Sequence, residues 1–321
     1  LAVPHEIVVQ KEGFETFRQT ITPRPGYPQQ MQVTLRTPEE IRRAETPARL
    51  TNSMGMELIL VEPGSFRMGA SRREPGRRAN ETLRNVRLTR AFYIGAREIS
   101  NREFKEFRES HRSGRAESAS LEIDDHPVVD VSWEDAVSFC NWLSERESLP
   151  MAYMKEGDTF VLAQPLNGGY RLPTEAEWAW AARFAGRDRA LKFPWGDSLP
   201  VPNGAGNYAD QAAAGLLQKT LSNYRDSYPA TAPIDSFDGN ALGIKNMGGN
   251  VAEWVNDYYS IPPPTTGEAE VDPRGPAEGE YRVIRGSSWM QSTITELRLS
   301  YRDYGNRGRP DVGFRVARFA D

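Results

Sequence analysis

The chain has 321 residues, of which 38% are hydrophobic and 26% are charged, a composition compatible with a soluble globular protein. Its net charge of −4 and isoelectric point near 5.7 give no electrostatic case for binding nucleic acid, and no apolar run is long enough to span a membrane. The single cysteine, Cys140, excludes an internal disulfide and any thiolate metal cluster within the chain. The three histidines are scattered, which argues against a multi-histidine metal site.

The N-terminal residues alternate apolar and polar side chains in the manner of a small antiparallel sheet. We predict strands at residues 5–10, 14–22 and 30–35. The stretch from Ile7 to Leu35 resembles the second half of a PEGA repeat, a small β module of bacterial extracytoplasmic proteins. Leu1 is not an initiator methionine, and we expect further sequence upstream of it. The expected organisation is a partial PEGA-like module at 1–36, a polar and helix-prone linker at 37–51, and a main domain at 52–321.

Three capping signals predict helices in the main domain. They are Ser100 with Glu103, Ser132, and Thr174 with Glu177. Alternating apolar residues predict strands at 56–61, 86–94 and 127–131. We predict that the helices pack one shared core, formed by Phe104, Phe107, Val137, Cys140, Trp178 and Ala181. At this helical spacing, the cysteine is expected to be a buried structural thiol rather than a reactive one.

Two stretches lack a regular pattern. Residues 70–85 have no apolar periodicity, and we expect a solvated loop there, with a specific anion site as the alternative. The arginines of this loop are Arg72, Arg73, Arg77, Arg78 and Arg84. About forty residues after Gly196 also carry few signals of helix or strand. A long irregular stretch in a compact domain needs something to hold it in place.

The stretch from Asn246 to Asp257 is unusually rich in side-chain oxygens. Two glycines in it allow a sharp backbone turn that can point carbonyl groups inward. Calcium is bound in proteins by six to eight oxygens, many of them on one tight loop. The spacing i, i+3, i+5 and i+7 suits such a loop and is occupied by Asn246, Gly249, Val251 and Glu253. The alternative is a Gly-Gly turn whose polar side chains bond their own backbone.

Several long motifs occur in the order and spacing of the formylglycine-generating-enzyme, or sulfatase-modifying factor, family. The resemblance covers about residues 52–319 and is carried by FYIGAREISNREFKEF, HPVVDVSWEDAVSFCNWLS, YRLPTEAEWAWAAR, PWGD, GIKNMGGNVAEWVND, RVIRGSSW and DVGFRVAR. It implies an α+β domain with the formylglycine-generating-enzyme fold, which is related to C-type lectins and has little regular secondary structure. Such domains are often tied together by calcium.

The resemblance implies one or two structural calcium ions. One family site matches Asn246, Gly249, Val251 and Glu253, with the glycine and the valine supplying carbonyl oxygens. A second family site matches Asn207 and Asp226 by side chain and Tyr208 and Tyr228 by carbonyl. Oxygen ligands without cysteine or histidine are what a hard cation requires. The second site would also explain how residues 197–245 stay ordered.

The same resemblance argues against the best-known activity of the family. Those enzymes oxidise a substrate cysteine to formylglycine with copper(I) held by two thiolates, and soft ligands suit this soft ion. The matching positions here are Gln291 and Glu296, and Ser287 replaces a glycine of the family pattern. We therefore expect no copper and no formylglycine generation by the known mechanism.

Three classes of function remain open. The first is a non-catalytic binding or scaffolding protein of the bacterial envelope with a protein or peptide partner, which we expect to lie in the periplasm or at the cell surface. The second is an oxidoreductase like the family members that act in siderophore maturation. The third is a lectin-fold ligand-binding protein like the variable proteins of diversity-generating retroelements. Aromatic and arginine side chains dominate binding surfaces. The alternative is that the candidate residues only pack in the core or at the surface. The candidates are Trp289, Gln291, Glu296, Arg298, Tyr301, Arg302 and Tyr304.

Overall fold

The computed structural model describes residues 3–24, 26, 28–157, 159–184, 186–187, 189–265 and 267–320. The chain divides into two compact units, residues 1–48 and 49–321. A strand at Arg49–Thr51 pairs with Glu57–Ile59, so the last three residues of the predicted linker belong to the larger unit. In the described part of the chain, no helix is long and apolar enough to cross a membrane.

The smaller unit contains one hairpin and one helix. Strands β1 (His5–Val9) and β2 (Phe17–Ile21) pair antiparallel, as the alternation predicts. The helix α1 (Pro38–Glu45) begins at a capping box formed by Thr37 and Glu40. The strand predicted at 30–35 is not present. Most side chains of residues 30–35 are exposed. Next to this segment, Glu15 N donates a backbone hydrogen bond to Arg36 O at 2.9 Å, but the described residues form no strand ladder there.

The larger unit is an α+β domain built from short strands, as predicted. Its strands are β3 Arg49–Thr51, β4 Glu57–Val61, β5 Gly64–Met68, β6 Arg84–Leu88, β7 Phe92–Gly95, β8 Arg115–Ala116, β9 Ala119–Ser120, β10 Tyr153–Glu156, β11 Thr159–Leu162, β12 Ala252–Tyr258, β13 Glu270–Val271, β14 Arg282–Arg285, β15 Arg302–Gly305, β16 Val312–Phe314 and β17 Ala317–Phe319. Two four-stranded sheets, β17-β7-β4-β3 and β15-β14-β12-β16, dominate, and β12 and β16 run parallel in the second. A three-stranded sheet, β13-β6-β5, and two small hairpins complete the set.

All three predicted helix starts are confirmed. The helices are α2 Asn101–Phe107, α3 Trp133–Arg146 and α4 Glu175–Arg183. In each, the cap side chain accepts the N–H group of the third helical residue, whose carboxylate accepts the N–H group of the cap in return. The third residue of the second box, Asp135, was not singled out in the sequence.

The prediction of one shared core is wrong, because two hydrophobic clusters lie on opposite faces of the sheets. Neighbouring residues of a strand point to opposite faces. Leu58 and Trp254 therefore join the cluster of Phe104, while Ile59 and Val255 join another. The first cluster also holds Val137 and Cys140, with Phe107 packed against it, and the second holds Trp178 and Ala181.

Two of the strand predictions need correction. The strand predicted at 86–94 is two strands, β6 and β7, which belong to different sheets. The strand predicted at 127–131 is extended chain with one isolated bridge, between Ser100 and Pro127. A positive φ of 57° at Asp130 interrupts any longer ladder there.

The long stretch between α4 and β12 has little regular structure, as expected. Among its described residues, the only helix or strand is the 3-10 turn Gln211–Ala213. This stretch contains the first of the two oxygen-rich clusters, and the second lies where the stretch meets β12.

Candidate functional site

The structure brings together Asn207, Tyr208, Asp226 and Tyr228, which we call the Asn207 cluster. The Asp226 carboxylate accepts the backbone N–H groups of Tyr208 at 2.9 Å and Tyr228 at 2.8 Å. The Oδ1 atom of Asn207 is buried and has no hydrogen-bond partner among the described residues. Burial raises the pKa of Asp226 to about 7, and the nearby carboxylate of Asp210 adds to the rise. The cluster thus combines a buried amide oxygen that has no hydrogen-bond partner among the described residues with a carboxylate whose pKa is raised.

The Asn246 cluster, formed by Asn246, Gly249, Val251 and Glu253, wraps a tight turn. Asn246 has a φ of 54° and Gly249 a φ of 105°. A Cβ atom on Gly249 would lie 3.0 Å from the ring of Tyr208, so only glycine fits without a shift of the neighbouring groups. Val251 is buried beside them.

The Glu253 carboxylate is engaged inside the protein. Its oxygens accept Arg315 Nη2 at 2.6 Å and Nε at 2.7 Å, and Trp178 Nε1 donates to it at 2.9 Å. All three side chains are buried. An ion at the Asn246 cluster would have to share this carboxylate with the guanidinium group.

Direct hydrogen bonds join the two clusters. The backbone N–H group of Asn250 donates to Asn207 O at 2.8 Å, and Asn207 Nδ2 donates to Asn250 Oδ1 at 3.1 Å. The Tyr208 hydroxyl donates to Gly248 O at 2.9 Å. Residues forty or more positions apart thereby form one polar centre.

Two acidic residues of this centre were missed in the sequence. Glu98 accepts the side-chain amides of Asn246 at 2.7 Å and Asn250 at 3.1 Å. Burial raises its pKa to about 7. Asp210 is fully buried and accepts the backbone N–H group of Asp226. Glu98 precedes a helix cap and Asp210 begins a 3-10 turn, so neither stands at a spacing that signals a metal site.

The donor types of both clusters are those that calcium prefers. Both clusters offer amide, carboxylate and carbonyl oxygens and contain no soft ligand. No group of three His, Cys, Asp or Glu side chains in the described ranges could hold a metal, so amide and carbonyl oxygens would have to contribute. The fit is better at the Asn207 cluster, because its Asn207 oxygen lacks a partner whereas Glu253 already has one.

The C-terminal segment places most predicted ligand-binding residues in internal contacts. Arg298 donates to both oxygens of Glu81 at 2.6 Å, and Arg302 donates to both oxygens of Glu175 at 2.5 and 2.9 Å. Trp289 is buried and donates from Nε1 to a backbone carbonyl. These side chains hold the segment in place, and their polar groups are used in contacts within the domain.

Tyr304 differs from these residues because 44% of it is exposed. Its ring stacks on Tyr259 with centroids 4.2 Å apart and meets Tyr281 edge-on at 5.2 Å. Tyr301, by contrast, is buried beside the guanidinium group of Arg78. We call Tyr259, Tyr281 and Tyr304 the tyrosine face.

Comparison with known proteins agrees with this architecture. Residues 43–320 match the family described as the sulfatase-modifying factor enzyme 1-like domain. The chain belongs to the sulfatase-modifying factor family. It is 30% identical to the formylglycine-generating enzyme of Thermomonospora curvata over 305 residues, which cover 85% of this chain and 97% of the relative.

Two solved structures share the fold of this family member. Treponema denticola variable protein 1 superposes with a TM-score of 0.68 at 24% identity, over 85% of this chain and 99% of the other. PvdO from Pseudomonas aeruginosa gives 0.61 at 25% identity, over 84% of this chain and 97% of the other.

Gln291 and Glu296, which the sequence resemblance predicts to stand at the copper-binding positions, have local hydrogen-bond partners in the structure. Gln291 Oε1 accepts the N–H group of Ser288 at 3.1 Å. Glu296 accepts the N–H and hydroxyl groups of Thr293 at 3.2 and 2.7 Å. Both side chains therefore stabilise turns of the C-terminal segment by hydrogen bonds to nearby groups.

The sole thiol lies elsewhere in the domain. Cys140 lies on α3 and is fully buried, as predicted, and burial raises the pKa of its thiol above the ordinary range. A thiol that stays protonated is a poor nucleophile and a poor metal ligand.

Proposed function

We propose that this protein is a non-catalytic binding or scaffolding member of the sulfatase-modifying factor family, with a protein or peptide partner. The observation that carries the proposal is the composition of the C-terminal segment. By the family resemblance it carries Gln291 and Glu296 where the enzymes of the family carry thiolates, and it exposes the aromatic ring of Tyr304. Tyrosine supplies both apolar area and a hydroxyl group, which suits a binding surface.

We further propose that calcium stabilises this scaffold. Asn207 and Asp226 would bind one ion by side chain, and Tyr208 and Tyr228 by carbonyl oxygen. Asn246 and Glu253, with the carbonyl groups of Gly249 and Val251, would bind a second. Bound calcium would neutralise buried carboxylates and cross-link the irregular stretch to β12. The orphaned Asn207 oxygen and the raised pKa of Asp226 support the first of these assignments.

The absence of formylglycine generation is tested directly. The purified protein is incubated with copper(I), oxygen and a sulfatase-type Cys-x-Pro-x-Arg peptide, beside the Thermomonospora curvata enzyme as positive control. We expect mass spectrometry to detect no aldehyde above a copper-only control, because the chain cannot supply two thiolates. Turnover above that control would refute the proposal.

The binding role is tested by photo-crosslinking in the native cells. One variant carries p-benzoylphenylalanine in place of Tyr304, and a matched control carries it in place of Met154, which is also exposed. We expect a discrete protein adduct from position 304 and none from position 154. Equal adducts from both positions, or none from position 304, would contradict a partner-binding tyrosine face.

A second candidate is an oxidoreductase of the siderophore-maturation branch. The likeness to PvdO over 84% of this chain favours it. Conversion of a siderophore precursor by the purified protein would select this candidate over the binding role.

A further inference from the structure

A strongly basic cleft shares no lining residue with the tyrosine face or the oxygen clusters. It has a volume of about 690 Å³ and is bordered by the loop after β5 and by residues 264–265. Four arginines line it, Arg67, Arg72, Arg73 and Arg77, and we call it the arginine cleft. No acidic side chain is among its described lining residues.

None of these four guanidinium groups forms an ion pair within the described part of the chain. Arg77 donates from Nε to the carbonyl of Ala70 at 3.1 Å, which leaves its charge without a counter-charge. Several other arginines of the domain are matched with carboxylates, as Arg84 is with Glu270 at 2.9 Å. Four unpaired charges around one concavity produce a focused positive potential in a protein whose net charge is −4.

Arg67 lies in β5, and the loop that carries Arg72, Arg73 and Arg77 is fixed by buried contacts. Arg298 binds Glu81 through both of its terminal nitrogens and donates to Gly76 O at 2.6 Å. Arg183 donates to Gly69 O at 2.8 Å at the start of the loop. A loop held at these points presents its charges at low entropic cost on binding. A solvated loop, as the sequence predicted, would account for the exposed side chains of this segment. It would not account for the buried hydrogen bonds that hold the loop in place.

We propose that the arginine cleft binds an acidic peptide segment of a protein partner. Guanidinium groups bind carboxylates in two-pronged pairs, which gives geometric preference as well as charge attraction. Leu83 and Pro264 line the cleft and would contact the aliphatic parts of such a segment. The lining contains no aromatic ring on which a nucleic-acid base could stack, and the negative net charge disfavours extended polyanions. The proposal thus adds a second contact surface and the chemical class of what it recognises.

The test is fluorescence anisotropy with a labelled heptapeptide in which four glutamates alternate with alanines. We expect the full chain to bind it at low salt, and we expect the peptide with glutamines in place of glutamates not to bind. The Arg72→Gln/Arg73→Gln variant should bind at least about tenfold more weakly. A matched control, Arg87→Gln/Arg307→Gln, removes the same charge from exposed arginines outside the cleft and should change Kd less than about twofold.

Three results would overturn the proposal. The first is no anisotropy change at protein concentrations up to about 1 mM, which corresponds to negligible affinity. The second is an equal loss of binding in the two double variants, which would show an effect of net charge alone. The third is tighter binding of a short DNA duplex than of the glutamate peptide, which would make the cleft a nucleic-acid surface.

Discussion

At the scale of single residues, buried arginines are the main organisers of the domain. Arg298, Arg302 and Arg315 each hold one carboxylate through two nitrogens and are almost completely buried. A buried ion pair is a weak source of net stability, but removing one partner leaves a charge without compensation. These pairs therefore fix which segments lie together more than they add to the free energy of folding.

We predict that Glu81→Gln lowers the free energy of unfolding by about 3–5 kcal/mol, because it leaves Arg298 buried with only a partial counter-charge from Glu74. The matched control is Glu57→Gln. Glu57 pairs with Arg49 at the surface, and an exposed pair contributes less than about 1 kcal/mol. Denaturant unfolding measures both changes. Equal losses in the two variants would show that burial of the first pair does not matter.

A second residue-scale prediction concerns Asp257. Burial, with help from Glu175, raises its pKa to about 7 in the folded protein, well above the ordinary value near 3.9. The folded state therefore holds a proton that the unfolded state has lost, so the contribution of Asp257 to stability falls as the pH rises from about 4 to 7. Asp257→Asn keeps an acceptor for the Glu175 N–H group, which Asp257 Oδ2 accepts at 2.8 Å.

The variant should match the parent near pH 4 and exceed it at pH 8 by about 4 kcal/mol, since the pKa shift is about three units and each unit corresponds to about 1.4 kcal/mol. Urea unfolding at the two pH values measures this difference. A variant that is less stable than the parent at pH 8 would show that the carboxylate is charged and well compensated.

At the scale of elements, the helix starts were predictable and the arrangement of the sheets was not. A capping box joins residues three positions apart, so the helix starts at Ser100 and Thr174 can be predicted from the local sequence. The separation of Phe104 from Trp178 into two cores depends on where β4, β7, β12 and β14 lie in space. Local patterns assigned both side chains to a core without indicating which face of a sheet each would meet.

The contact between α2 and α3 gives an element-scale prediction. Phe104 is fully buried and packs against Phe139 at 5.7 Å and Phe314 at 6.1 Å between ring centroids. Phe104→Ala should lower the free energy of unfolding by about 3–5 kcal/mol. Phe107→Ala, on the same helix but only partly buried, should cost clearly less. The reverse order would mean that the helix face has been assigned to the wrong side.

At the scale of the whole molecule, polar centres rather than regular elements connect the irregular stretch to the sheets. The family resemblance predicted Asp226, Tyr208 and Tyr228 as one site, and the structure brings them together, since the Asp226 carboxylate accepts the backbone N–H groups of both tyrosines. Glu98 and Asp210 were missed because their proximity arises from long-range folding. Most of the seven residues predicted as a binding surface are packed inside the structure. The sequence could not show this, because burial cannot be deduced from residue type alone.

If calcium at these oxygen clusters holds the domain together, its removal should destabilise the folded protein. Elemental analysis of the purified protein is combined with thermal melting before and after chelation. An ion that binds only the folded state at about 100 times its Kd adds about 2.7 kcal/mol. In a domain of this size, that corresponds to a fall in Tm of roughly 5–10 °C when it is removed.

Asp226→Asn should reproduce part of that fall, whereas Asp238→Asn, an exposed neighbour outside the cluster, should not. We expect about one or two calcium ions per chain and a chelator-sensitive Tm. A protein free of calcium, with the same melting curve in the presence and absence of chelator, would show that calcium does not stabilise this domain.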